Sequence, residues 1–244
     1  VVIDLEAVVR LQGVVHRLAK KESASATLRN PSHQAVIDQC KEANRQTVPG
    51  FVHSDNMSLL AGPFQQNRGS RFSSASEQGL FYGSRSRKGC LIEGAYYALF
   101  FYEGSEYFTS GKTIQNLYKI LFEVKIDSES CLQLQRQGND SLQAKLRHPV
   151  NYSFTCAVGA RMRAATITCF EYFSARSHQP IIQFGAFSPD VFCSPPLNHV
   201  EVTIKISQAH VEILCHDDNS TWEFTRQQYE VNGQLPSPAC LGYL

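Results

Sequence analysis

The stretch that decides the fold runs from Gly69 to Phe101, GSRFSSASEQGLFYGSRSRKGCLIEGAYYALFF. A Gly-Ser-Arg turn leads into a short apolar strand, GLFYG (79–83), bracketed by glycines. A polar loop, SRSRKG (84–89), follows. Cys90–Phe101 then reads as a helix, because Leu91, Ile92, Ala95 and Leu99 recur at three-to-four residue spacing. Arg71, Tyr82 and Glu93 fall eleven residues apart, twice over. Glu93 is the odd one among them. A carboxylate on an apolar helix, next to a glycine and one turn from Tyr96 and Tyr97, costs free energy unless it is paired or solvated in a cleft. The plain alternative is an exposed place on the polar side of the helix.

Upstream, Val1–Leu18 is strongly apolar, and a strand or a short helix both fit it. Arg17 sits inside this text, where a charge must reach a surface, a partner or an anion. Ser32 can cap a helix whose apolar positions are Val36, Ile37 and Cys40. Met57–Pro63 (MSLLAGP) leads into the central stretch, and its Gly-Pro end suggests a tight approach.

Downstream the chain is strand-rich. Tyr118–Ile126, Ala165–Phe173, Ile181–Phe187, Val200–Ile206 and Val211–Cys215 favour β-branched and aromatic residues. Arg136–Arg147 is polar, a loop or a short helix, and residues 233–244 read as an extended tail. Early helices followed by many short strands argue for an α+β chain with mixed or antiparallel sheets and flanking helices. The 244 residues suit one compact domain, with a core from about 14 to 216.

Composition narrows the function. The net charge is +1 with no acidic or basic block, which gives no footprint for nucleic acid or a membrane surface. No apolar run approaches a membrane span. No signal peptide is read in the opening residues, and a cytoplasmic site of action is expected. Eight cysteines lie outside any C-x-x-C spacing, so buried free thiols in a reducing compartment are expected rather than zinc. P-loop, H-E-x-x-H, G-x-S-x-G and dinucleotide-binding glycine patterns are all missing from the sequence. His216-Asp217-Asp218 reads as a turn between two strands, with a metal cluster as the alternative.

Five side chains are candidates beside plainer readings: Arg17 and Arg71, otherwise surface cations; Tyr82, otherwise core or rim; Glu93; and Ser174, at a strand end in Phe173-Ser174-Ala175-Arg176 and otherwise a turn residue. Two cations, an aromatic ring, a carboxylate and a hydroxyl suit an anionic, aromatic, ribose-containing ligand. Cations hold phosphates, a tyrosine ring stacks a flat base, and a carboxylate stabilises positive charge at an anomeric carbon.

At these residues the sequence resembles the RES-domain family, the toxins of Xre–RES toxin–antitoxin systems. The blocks that carry the resemblance are LLAGPF, GSRF, LFYGS and IEGAYY, then YFSAR followed by IIQFGAFSPDVF. Arg17 matches the first family arginine, Arg71 that of GSRF, and Tyr82 the tyrosine before Gly-Ser. Glu93 and Ser174 match the family glutamate and serine. The resemblance implies a fold similar to ADP-ribosyltransferase toxins and cleavage of NAD at the nicotinamide–ribose bond. Phosphate or water is the acceptor, and NAD depletion arrests growth. NAD is then a substrate and no cofactor is needed. The implied partner is an Xre-type antitoxin that occludes the site. By that resemblance Arg17 and Arg71 hold the pyrophosphate, Tyr82 the nicotinamide and Glu93 the ribose, while Ser174 orients Glu93 or the nicotinamide side. Transfer of ADP-ribose to a protein is the alternative, although Leu91 stands where arginine-directed transferases carry a second carboxylate. A nucleotide-binding module without turnover is a further one. The chain departs from the family text at Phe64–Arg68, at Ala98 and at Cys156.

Overall fold

A computed structural model describes residues 3–20, 58–65 and 69–237. Its main elements are β1 (Val8–Lys20), α1 (Ser58–Gln65), β2 (Phe81–Ser84), α2 (Arg87–Glu103), α3 (Glu106–Thr109), β3 (Ile114–Gln133), α4 (Asp140–Leu146), α5 (Ser153–Ala164), β4 (Cys169–Phe173), β5 (Ile182–Ala186), β6 (Leu197–Ile206), β7 (His210–Cys215) and β8 (Ser220–Thr225). The class is α+β, as the sequence implies. The helix expected after Ser32 lies outside the described residues.

The eight strands form one mixed sheet in the order β1-β2-β5-β4-β3-β6-β7-β8, and β1 also pairs with β3. That extra pairing closes β1, β2, β5, β4 and β3 into a ring. The 20-residue β3 makes this possible by serving three partners. One edge runs antiparallel to β1 from Leu132 to Lys119. The other edge is divided between β6, at Ile114–Glu123, and β4, at Cys131–Gln133. The β3–β4 pair is parallel, and its crossover carries α4 and α5, as a parallel connection requires.

Val15, Phe81, Phe122, Phe184 and Phe192 fill the inside of the ring. A second core lies between α2 and the β6–β7 end of the sheet, where Leu91, Tyr96 and Leu99 meet Ile204 and Ile213. A third sits under α4 and α5, built on Leu142, Met162, Phe72 and Phe170.

Several expectations shift in detail. From Val8 onward the apolar opening stretch is a strand, which places Arg17 opposite Phe122 of β3. The central helix begins at Arg87, because Ser86 caps it by accepting from the Gly89 amide. The Gly62-Pro63 pair lies inside α1, and a side chain at Gly62 would meet nothing within 4 Å among the described residues, so no tight approach is seen there. Pro63 lies past the first turn of that short helix, so it removes one bond of the ladder. The strand expected from Ala165 starts only at Cys169. Ala165 caps α5, and the chain turns through Thr166 with φ 55°. His216–Asn219 is the turn from β7 to β8, and Asp217 pairs with Arg87 at 2.6 Å. Among the described residues no cluster could hold a metal ion, and no helix is long and apolar enough to cross a membrane. The six described cysteines are free; Cys193 is exposed, Cys156 is half-buried and the other four are buried.

Candidate active site

A cleft of about 1020 Å³ runs along α2, between that helix, β1, the turn at Gly69–Arg71 and the start of β3. Arg17, Arg71, Tyr82 and Glu93 all line it. Ser174 does not. It is fully buried directly behind Glu93.

Glu93 sits in the second turn of α2. Ser174, just past the end of β4, donates its hydroxyl to Glu93 Oε1 at 2.6 Å. The serine is itself held by the Arg176 amide, which donates to Ser174 Oγ at 3.0 Å. Its backbone amide bonds Ile181 O at 2.8 Å. A hydroxyl that accepts from a fixed amide has its own proton turned toward the carboxylate, so Glu93 is oriented before any ligand arrives. Gly94 allows β1 to close against the helix here, since a Cβ at that position would lie 2.5 Å from Leu18 Cδ2.

Tyr82 fastens the turn that carries Arg71. Its hydroxyl shares a hydrogen bond with Ser70 Oγ at 2.8 Å and accepts from the Phe72 amide at 3.2 Å. Burial pushes this phenol above its ordinary range, so it stays neutral. From behind, α5 presses on the same turn. Cys156 Sγ reaches Ser70 O at 3.4 Å, and a Cβ on Gly159 would run into the Phe72 carbonyl.

Arg71 is buried and mostly spoken for. Nη1 donates to Leu146 O at 3.2 Å and His148 O at 3.0 Å, and Nη2 to the Tyr152 hydroxyl at 3.1 Å. Its guanidinium lies over the Tyr152 ring, 4.4 Å from the centroid. Arg176 Nη2 donates to the same hydroxyl at 2.9 Å, and its guanidinium stacks 3.6 Å above Tyr96. A chain of contacts therefore links Arg71, Tyr152, Arg176, Ser174 and Glu93.

Arg17 reaches the cleft from β1. Nη1 donates to Tyr82 O at 2.5 Å, and the guanidinium lies over Phe81, 4.6 Å from the centroid. Its Nε is buried with no partner among the described residues. Burial lowers the Arg17 pKa to about 10. Of the charged side chains that line the cleft, Arg17, Lys20, Arg71 and Lys119 are cations and Glu93 is the carboxylate. Such a cleft attracts an anion, and Glu93 is the negative group that the described residues offer for positive charge developing on it. Tyr97, Tyr152 and Tyr172 add aromatic walls.

The five residues drawn from sequence thus gather at one place, four in the cleft and Ser174 behind it. Sequence reasoning missed Tyr152 and Tyr172 and gave Arg176 no role. Tyr172 had a signal, since it is two residues before Ser174 on the same strand. Tyr152 had none, because it belongs to an irregular segment brought in by tertiary packing.

The sequence matches the RES domain family over residues 48–205. No curated protein matches the chain. The matched span contains Arg71, Tyr82, Glu93 and Ser174 but begins after Arg17. Because the match extends over more than half of the 244 residues, this protein belongs to the RES-domain family, a family related to NAD-acting toxins.

Proposed function

We propose that this protein breaks the nicotinamide–ribose bond of NAD, with phosphate or water as the acceptor, and so drains NAD and arrests growth. The observation that carries the reading is the Glu93 carboxylate, oriented by Ser174 inside a cationic cleft. The C1′–N bond breaks, and its electron pair leaves with nicotinamide, which departs neutral. The ribose left behind has oxocarbenium character, and the carboxylate stabilises it. A phosphate oxygen then bonds to C1′ to give ADP-ribose 1-phosphate. With water instead, the product is ADP-ribose and a proton.

In this reading Tyr82 and Tyr172 line the nicotinamide end, and Arg17 faces the phosphates. Arg71 contributes charge and its uncommitted N–H groups while bracing the wall. NAD is the substrate, phosphate the co-substrate, and no separate cofactor is called for. A likeness to ADP-ribosyltransferase folds and a cognate Xre-type antitoxin that covers the cleft belong to the same proposal. Arginine-directed transfer to a protein is disfavoured. Leu91, where the extra carboxylate would stand, is fully buried in the core beneath α2.

The test is product analysis by mass spectrometry after purified, antitoxin-free protein is mixed with NAD, with and without phosphate. ADP-ribose 1-phosphate or ADP-ribose is expected. Intact NAD after long incubation would overturn the proposal, and ADP-ribose attached to protein would favour transfer.

A further inference from the structure

Lys20 and Lys119 stand directly opposite each other where β1 pairs with β3. Both line the cleft. Like charges in register on an antiparallel pair repel, and among the described residues neither lysine has an ion-pair partner. Lys119 is half-buried. Its pKa is lowered by burial first, then by Lys20 and Arg17, so the three cations feel one another. Arg17 lies three residues before Lys20 on the same strand, roughly 10 Å away along it and leaving it on the other face.

The opposite end of the cleft is different. There Glu93, Tyr152 and Tyr172 surround Arg71, whose donors mostly go to protein acceptors. A phosphate seated there would compete with the Glu93 charge. Toward the C-terminal half of α2 the walls become Phe101, Leu117, Ile204 and Ile206, with the lysines as the charged groups. Glu93 and Phe101 are eight residues apart on the helix, about 12 Å. That span is long enough to separate a reacting ribose from the anionic linker of a dinucleotide.

We propose that Lys20 and Lys119 form a phosphate-binding subsite in the part of the cleft toward the C-terminal half of α2, away from Glu93. Ammonium groups are compact point charges with rotatable donors and suit phosphate oxygens without a fixed bidentate geometry. A bound phosphate relieves the repulsion between the two lysines. The occupant is a phosphate group, either from the pyrophosphate of the dinucleotide or from free inorganic phosphate. This inference rests on the NAD-cleaving reading for its substrate but not for its chemistry. Lys20 also lies outside the matched family span.

The experiment compares wild type with Lys20→Gln, Lys119→Gln and the double variant. Substrates are NAD and nicotinamide riboside, which lacks phosphate, across a phosphate titration. If the dinucleotide fills the subsite, the double variant loses about tenfold or more in its kcat/KM preference for NAD over nicotinamide riboside, mostly through KM. If inorganic phosphate fills it, the phosphate concentration for half-maximal rate rises instead by a similar factor. The melting temperature should hold or rise, because a repulsive pair is removed. If neither the preference nor the phosphate dependence changes, the proposal is overturned. Should wild type leave NAD intact, the functional reading fails but the subsite is still tested. Calorimetry with ADP must then show about tenfold weaker binding to the double variant, and equal binding overturns the subsite.

Discussion

The Ser174 hydroxyl donates to Glu93 Oε1 at 2.6 Å, across 81 residues of sequence. A buried serine tied to the Arg176 amide can serve the carboxylate in one direction only, so it fixes which oxygen faces the cleft. Glu93→Gln keeps the shape and removes the charge. It should lower kcat for NAD cleavage by about 10²–10³ or more while the fold survives. Ser174→Ala keeps the charge but frees the carboxylate to rotate. It should lower kcat by about 10–100-fold, the worth of one hydrogen bond to a charged group, with KM for NAD little moved. Steady-state kinetics beside thermal unfolding checks both. A Ser174→Ala protein with wild-type kcat would remove the serine from the mechanism.

Tyr152 is the joint between two buried arginines. Its hydroxyl accepts from Arg71 Nη2 and from Arg176 Nη2. Tyr152→Phe preserves the ring beneath Arg71 and deletes the shared acceptor, leaving two guanidinium groups under-satisfied. A cost of about 1–3 kcal/mol follows, read as a drop of several degrees in melting temperature. Because Arg71 then loses one of its anchors, catalytic efficiency should fall as well. Tyr82→Phe gives a second comparison, since it releases Ser70 and Phe72 without touching either arginine directly. If Tyr152→Phe melts like wild type, the hydroxyl is not the joint described.

The pattern of what was legible follows from range. The α2 helix and the strands β5, β6 and β7 were visible because each buries a face whose period is local. Glu93 was visible because it breaks such a period. By contrast, the ring of strands depends on β3 lending its two edges to three partners, which no local pattern encodes. The helix α5 was missed because Thr155, Cys156, Val158 and Gly159 have weak helix preference and are held by packing. Ser174 was a strand-end hydroxyl in sequence that the family resemblance singled out, but its place behind Glu93, and not in the cleft wall, needed the fold. Arg71 looked like a phosphate clamp in sequence. Its carbonyl partners, Leu146 and His148, show how much of it is committed to holding the wall.

Gly159 sets the depth at which α5 meets the Arg71 turn. A Cβ there would overlap the Phe72 carbonyl, and backbone cannot step aside as a side-chain tip can. Gly159→Ala would gain roughly 1 kcal/mol of helix preference in a free helix. Here the overlap should outweigh that gain, because overpacking costs about 1–3 kcal/mol or more. The expected result is a lower melting temperature together with a raised KM for NAD, as the turn bearing Ser70 and Arg71 is pushed toward the cleft. Ala157→Gly, at an exposed position on the same helix, is the control. It should cost only the ordinary helix penalty and leave KM alone.

Alkaline pH separates the cations from the carboxylate. Burial brings the Arg17 pKa down to about 10, and Lys119 is lowered by burial and by its cationic neighbours. A base whose pKa is depressed gives up its proton at lower pH than usual, so the cleft loses positive charge as pH rises toward and through about 10. Anion binding weakens in that window, and KM for NAD should climb there. The groups that lose charge here are the anion-holding cations, so kcat should change far less. Stability responds with the opposite sign. Between the folded value for Arg17 and its higher ordinary value the unfolded chain binds more protons, so this group makes folding more favourable as pH rises. A rise in KM through this window is therefore not unfolding on Arg17's account, and circular dichroism at each pH verifies it. Bound NAD should hold the protons on, so binding near pH 10 should take up protons, measurable by calorimetry in buffers of different ionisation enthalpy. A KM that stays flat through this window would show that these cations do not face the substrate's phosphates.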